Sequence, residues 1–216
     1  MPCSVLALTI ADAVKLGLAP LLRKDGFKKR GTTFYQIGPE SNRLVVVQSS
    51  QWNTSSSSRF TIELGLYFPA IDAVVKQIWA KPGAEPWVPK IYNCQLRKRI
   101  GLLLPVHRDF WWTVVPSSNA NDLAVVLADA WQQYGAPWMR SNGNLPEAAK
   151  QLEADSWFSL AAQARLALGE REDASRLAKQ FVASLTKEAP HPANAAIIEK
   201  YLTEIRDWCA KYELPL

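Results

Sequence analysis

The sequence predicts an α+β protein: an N-terminal helix, an antiparallel β-sheet, and then a C-terminal all-helical segment. Three observations predict it. Residues 9–24 carry apolar side chains at helical spacing. Between residues 32 and 68 come three short runs of β-branched and aromatic residues, joined by connections too short for the crossovers that parallel strands require. After Pro116 the alternation stops, and helical periodicity continues to the end of the chain. This change of pattern divides the chain into a sheet domain, residues 1–116, and a helical segment packed on it, residues 117–216.

In the opening helix Val14, Leu18, Leu21 and Leu22 form the apolar stripe. Thr9 or Asp12 is placed to cap it. Pro20 falls inside the pattern and predicts a kink or restart, and Gly26 suits the left-handed position that ends a helix. Strands are predicted at Thr32–Ile37, at Arg43–Ser49 around the run Leu44 to Val47, and at Arg59–Phe68. The last alternates most cleanly: Phe60, Ile62, Leu64, Leu66 and Phe68 face one side, and Thr61, Glu63, Gly65 and Tyr67 the other. Residues 69–80 read as a short helix and 81–89, with three prolines, as a loop. A second hairpin is predicted from Ile100–Leu104 and Phe110–Val115. Its neighbours Trp111 and Trp112 must point to opposite faces.

The helical segment begins at Asn119, with Asp122 in its first turn. Its stripe is Leu123, Val126, Leu127, Ala130, Trp131 and Tyr134. Residues 135–144 read as a loop, and Pro146 starts the next helix. A helical hairpin follows, residues 156–169 and 171–187, hinged at Gly169. Its apolar stripe begins at Trp157. The hairpin has the texture of one tetratricopeptide unit, but such units stabilise one another only by stacking, and no second one is present. The final helix carries Ile198, Tyr201, Leu202, Ile205, Trp208, Cys209 and Tyr212, with Cys209 on the core stripe.

The 216 residues are 48% hydrophobic and 21% charged, enough apolar material for a packed core. The net charge of +5 is unevenly spread. Residues 1–116 hold 15 Lys and Arg against 7 Asp and Glu, a net of +8; residues 117–216 hold 10 against 13, a net of −3. Such asymmetry points either to an acidic partner or to docking of the acidic helices on the basic sheet. No apolar run reaches the length of a membrane span, so no membrane partner is expected. The N-terminus lacks the basic start and long apolar stretch of a secretory signal. The three cysteines (Cys3, Cys94, Cys209) form neither a disulfide framework nor a CxxC clip. Together these features predict a cytoplasmic protein, in which Asn53-Thr54-Ser55 has no glycan meaning.

Catalytic and cofactor signatures are missing from the sequence. It contains no GxGxxG, no GxxxxGK[ST] and no GxSxG, and the two histidines, His107 and His191, have no partners at zinc-ligand spacing. The expectation is therefore no cofactor, no metal and no enzymatic activity. A thiol–imidazole pair would need Cys94 or Cys209 to meet His107 in space.

Two features stand out instead. The first is a basic group, Arg23, Lys24, Lys28, Lys29 and Arg30, with a second at Arg97, Lys98 and Arg99. Phe34, Tyr35 and Trp52 lie near the first group in sequence. Cations beside stackable rings are what a single-stranded nucleic acid needs. The same cations also arise where a solvated sheet edge deters strand addition, or where a helix C-terminus attracts positive charge. The second feature is nine tryptophans. Trp131, Trp157 and Trp208 fall on helical stripes, whereas Trp52, Trp79, Trp87 and Trp138 fall in or beside loops, as partner-binding anchors or as lids over the sheet. Gln48, Ser49, Ser50 and Arg59 flank the connection between the second and third strands. With Arg99 they outline a polar patch in which Glu63 is placed to pair with Arg99 or Arg43, unless it is ordinary polar sheet surface.

Several of these residues carry a family resemblance. Leu22 is followed by Gly26-Phe27-Lys28-Lys29, then Gly31, then Phe34-Tyr35. Next come Val47-Gln48-Ser49-Ser50 with Trp52, and Arg59-Phe60-Thr61-Ile62 with Leu64-Gly65. Cys94, Leu96, Arg99-Ile100-Gly101 and Trp111-Trp112 complete the order. Over residues 10–115 this resembles the mainly bacterial family known as domain of unknown function 4304. The resemblance implies an α+β fold and a bacterial origin, and it supplies no catalytic residues. Some members look like immunity or accessory proteins encoded near toxins.

The expected function is a non-catalytic protein-binding module, an immunity or accessory protein that occludes an acidic partner. The expected binding residues are Lys28, Lys29, Arg30, Gln48, Trp52, Arg59, Arg97, Lys98 and Arg99. The alternatives are a single-stranded nucleic-acid-binding module and an enzyme whose polar site lies on the sheet face, for which a deep pocket joining Arg99, Glu63 and Gln48 would be the sign.

Overall fold

The computed structural model describes residues 5–75, 88–187 and 194–216. The chain divides into two compact units, one comprising Met1–Tyr67 and Val88–Gly143, the other Phe68–Trp87 and Asn144–Leu216.

In the first unit the opening helix begins earlier than the periodicity predicts. It runs through α1 (Val5–Ala13), a π-helical turn at Val14–Leu18, and α2 (Ala19–Lys24). Pro20 sits in the first turn of α2, where its missing N–H costs least, and the widened turn before it takes up the restart. Gly26 follows with φ +86°, the left-handed exit.

The sheet is antiparallel throughout. Strands β1 (Lys28–Arg30), β2 (Thr33–Ile37), β3 (Asn42–Ser49), β4 (Ser58–Tyr67) and β5 (Leu96–Arg99) lie in sequence order. Strand β6 (Trp112–Val114) pairs with the start of β4, end to end with β5. The register divides the side chains between two faces. One face carries the row Lys29, Phe34, Val45, Leu64 and Lys98, with Val47, Phe60, Ile62 and Trp112 beside it. Phe34, Val45, Phe60, Ile62 and Leu64 are buried there, and Phe60 and Trp112 stack at 5.4 Å. The other face carries Arg30, Thr33, Val46, Glu63 and Arg99 in one row and Lys28, Tyr35, Leu44, Gly65 and Arg97 in the next.

Helix α4 (Ala120–Ala130) packs on α1 and the π-helical turn, and continues through a second π-helical turn, Trp131–Gly135, into α5 (Ala136–Ser141). The Asn119 side chain caps α4 by accepting from the Asn121 N–H at 2.8 Å. Trp131 is the largest fully buried side chain of the unit. Its Nε1–H donates to Asp25 Oδ2 at 3.0 Å, and its ring meets Phe27 edge-on at 5.8 Å.

The second unit is helical. Helix α3 (Pro69–Val75) packs against α7 (Phe158–Ala167), and α6 (Leu145–Ala154) and α8 (Arg171–Thr186) flank α7. Helix α9 (Ala195–Lys211) packs on α8 through a face holding Leu202, Ile205, Trp208 and Cys209. Arg165 pairs with Glu153 and Glu170, and Arg176 with Glu153 and Asp173, tying α6, α7 and α8 at their polar margin. The Tyr212 hydroxyl donates to the Val74 carbonyl at 2.5 Å.

Several expectations change. The strand predicted at Ile100–Leu104 lies four residues earlier, at Leu96–Arg99, and pairs with β4 rather than forming a hairpin with β6. Ile100–Leu102 is a 3-10 turn, because Ile100 turns into the core and Gly101 runs against the Phe110 backbone. Residues 135–144 are largely helix, not loop: Gly135 lies flat on the Trp131 ring, and Pro137 sits in the first turn of α5, where proline is favourable. Trp138 is therefore buried rather than a loop residue. Trp157, expected on a core stripe, stands 58% exposed because it precedes the first residue of α7. Of the predicted helix 69–80, Pro69–Val75 is observed. The rest of it, most of the loop at 81–89, and Trp79, Trp87, His191 and Cys3 lie outside the described residues.

Candidate interaction surface

The predicted binding residues all belong to the first unit, and the sheet separates them into two groups. Lys28, Lys29 and Arg30 form β1, one edge of the sheet; Arg97, Lys98 and Arg99 form β5, on the opposite edge. Three strands intervene, so the groups lie about 19 Å apart at ordinary strand spacing. They are not one basic strip.

The two edges differ in electrostatic state. All three residues of β1 are exposed, and no carboxylate among the described residues pairs with them. Lys28 and Arg30 fall on one face and Lys29 on the other, where its ammonium stands 5.3 Å from the Phe34 ring centroid. On β5, Arg99 is already engaged. It bonds Asp109 at 2.5 Å, lies 5.2 Å from the Trp111 ring centroid, and sits directly across from Glu63. Arg43 falls on the opposite face from Glu63, which leaves Arg99 as the cross-strand neighbour of that carboxylate.

The register brings further predicted residues to the β1 side. The Val47 N–H donates to the Thr32 carbonyl at 3.1 Å, so the β1–β2 turn and the tip of the β3–β4 hairpin share one end of the sheet. That tip is tightly hydrogen-bonded. Asn53 Oδ1 accepts from the Arg59 N–H at 2.7 Å, Asn53 Nδ2 donates to the Arg59 carbonyl at 3.2 Å, and Trp52 N–H donates to Ser50 Oγ at 3.2 Å. On this ordered turn the Trp52 indole is 81% exposed. Arg59, exposed, is paired with Thr113 of β6. Phe34 is fully buried and Tyr35 half-buried, so of the three rings near β1 only Trp52 presents an open face.

Between these tips and α1 lies a cavity of about 320 Å³. Ile10, Val14, Phe34 and Val47 line its apolar part, and Lys29, Thr32, Ser49, Asn53 and Ser58 its polar part. Several of these residues stand out in the sequence, but the space between them does not, because it depends on the small Ala7 and Ala11 of α1. A second cavity of about 160 Å³ lies by Asp25, Arg43, Trp131 and Arg140. Neither cavity is lined by Gln48, Glu63 or Arg99, the patch on which an enzymatic site would rest. Gln48 lies opposite Thr61, with its Oε1 buried and without a hydrogen bond.

The described cysteines do not read as nucleophiles. Burial pushes the Cys94 thiol far up; the Arg97 charge opposes this less strongly, and Glu63 adds slightly to it. Burial also raises the Cys209 thiol. Thiolate, the reactive form, is therefore depleted at both. In a Cys3→Ser variant, a disulfide-exchange reagent at neutral pH is expected to modify neither thiol until denaturant is added. Rapid native labelling of Cys94 would contradict that. Among the described residues no group of three His, Cys, Asp or Glu is arranged to hold a metal ion, and no helix is long and apolar enough to cross a membrane.

A family model described as domain of unknown function (DUF4304) matches residues 18–141, more than half of the chain. The match runs past Pro116 through α5 and stops near Gly143, the last residue of the first unit. No curated protein and no solved structure matches the chain.

Proposed function

The chain belongs to the DUF4304 family, whose description names no activity, and we propose that it is a non-catalytic binding module that holds an acidic protein partner along β1. One observation carries this reading. An open edge strand made of three exposed cations, with no carboxylate among the described residues to neutralise them, shares an end of the sheet with a fully presented indole.

Edge strands offer unpaired backbone groups to any passing strand, and lysines along an edge normally repel that approach. A strand carrying acidic side chains reverses the sign. Lys28 and Arg30 on one face and Lys29 on the other match a partner whose carboxylates alternate. Neutral strands are refused and acidic ones admitted, which is specificity through charge. The cations steer the encounter, and Trp52 supplies an apolar anchor that loses water on contact. Working by occlusion, such a module acts as an immunity or accessory protein in a bacterial cytoplasm. The nucleic-acid reading has less support, since of the rings beside the cations only Trp52 is available for stacking.

The test compares binding to immobilised poly-L-glutamate and to a single-stranded oligothymidylate at low salt. Reversal of the β1 charges (Lys28→Glu, Lys29→Glu, Arg30→Glu) is expected to weaken polyglutamate binding at least about tenfold, the equivalent of about 1.4 kcal/mol. Reversal at Arg97 and Lys98 is expected to change it much less. Equal losses from the two edges, or stronger binding to the oligonucleotide than to polyglutamate, would reject the reading.

A further inference from the structure

The cavity beneath α1 has a composition that selects a ligand, and it shares one residue, Lys29, with the β1 edge. Its volume is about 320 Å³, many times the least space that holds a single water molecule. Ile10 and Val14 of the opening helix and Phe34 and Val47 of the sheet give it apolar walls, and Ala7 and Ala11, one helical turn apart, line it from the helix. Lys29 is the only charged residue in the lining, and its ammonium stands 5.3 Å from the centroid of Phe34, itself a wall of the cavity. No Asp or Glu lines the space among the described residues. Ser58, only 4% exposed, contributes a hydroxyl with no hydrogen-bond partner among the described residues.

We propose that this cavity binds a small monocarboxylate with an unbranched apolar tail. The apolar walls take the tail, which gains by leaving water. One cation without a competing carboxylate favours a single negative charge and disfavours a cationic head group. A phosphomonoester, with its second charge, would want several donors and cations converging on it, and only one cation is there. The Ser58 hydroxyl gives a donor that water or a carboxylate oxygen satisfies.

Octanoate fits the volume and is the probe. Calorimetric titration of the full chain is expected to show saturable binding of one octanoate per chain. Octanol should bind about tenfold more weakly and octylammonium not at all. Lys29→Gln, a change at an exposed position, should weaken octanoate about tenfold and leave octanol unchanged. Ala11→Phe fills the cavity from an exposed helical position and should abolish both while leaving polyglutamate binding intact, so this site and the β1 edge fail separately. Absence of octanoate binding, equal affinity for octylammonium, or octanoate binding untouched by both variants would overturn the proposal.

Discussion

Gly17→Ala is expected to destabilise the protein by about 2–3 kcal/mol, although alanine is ordinarily the better helix former by about 1 kcal/mol. Gly17 lies in the π-helical turn, where the opening helix and α4 touch backbone to backbone. A Cβ there would stand 2.1 Å from the Ala124 carbonyl oxygen and 2.8 Å from its Cα. Neither atom belongs to a flexible side chain, so the helices must separate, and separation loosens Val14, Leu18 and Leu127, all buried. For a chain of this size the loss corresponds to a melting temperature lower by roughly 4–12 °C. Gly31→Ala provides the contrast. Gly31 has φ +60°, but a methyl group added there would meet nothing within 4 Å, so its penalty is conformational, about 1 kcal/mol. Thermal melts that rank Gly31→Ala as the more damaging, or that show Gly17→Ala stabilised, would refute the close contact.

This contact also marks what the sequence allowed to be read. Strand β4 was legible because both its faces are chemically distinct: Phe60 to Leu66 alternate with Thr61 to Gly65, and the observed strand differs from the expected one by a single residue at each end. The antiparallel pairing followed from short connections, and Trp112 inward with Trp111 beside Arg99 follows from strand alternation. Where a helix is governed by packing rather than periodicity, local patterns misled. Residues 136–141 contain proline and follow a glycine, both loop signals, yet the large Trp131 ring needs that glycine's bare Cα and carries the helix through it. Trp157 kept helical spacing but fell just before its helix. The candidate site was legible in parts. The residues of β1, Trp52 and Arg59 stood out, but their distance from Arg97 to Arg99 depends on strand order, which no short-range pattern encodes. The cavity under α1 was invisible for the same reason, since it arises from two alanines facing strands that are distant in sequence.

Trp131→Ala should cost about 3–5 kcal/mol, the range for removing a buried large aromatic. Trp131 is 2% exposed and ties its own helix to the segment after α2: Phe27 meets its ring, Asp25 accepts a hydrogen bond from its indole N–H, and Gly135 of the same π-helical turn lies against it. Truncation therefore removes apolar contact and leaves the Asp25 carboxylate without that donor. Trp131→Phe separates the two effects. It keeps most of the ring volume but deletes the N–H, so it should cost about 1.5–3 kcal/mol, the value of one hydrogen bond to a charged group. Denaturant titrations that monitor far-ultraviolet circular dichroism measure both. If Trp131→Phe proved as damaging as Trp131→Ala, the bond to Asp25 would outweigh packing. If both proved neutral, Trp131 would not anchor the helical layer. The β1 edge begins just beyond Asp25 and Phe27, so polyglutamate binding is expected to track the same ranking: near normal in Trp131→Phe and diminished in Trp131→Ala as the folded fraction falls. A loss of binding in fully folded Trp131→Phe would instead place Asp25, released from the indole, as a competitor for the cations of β1.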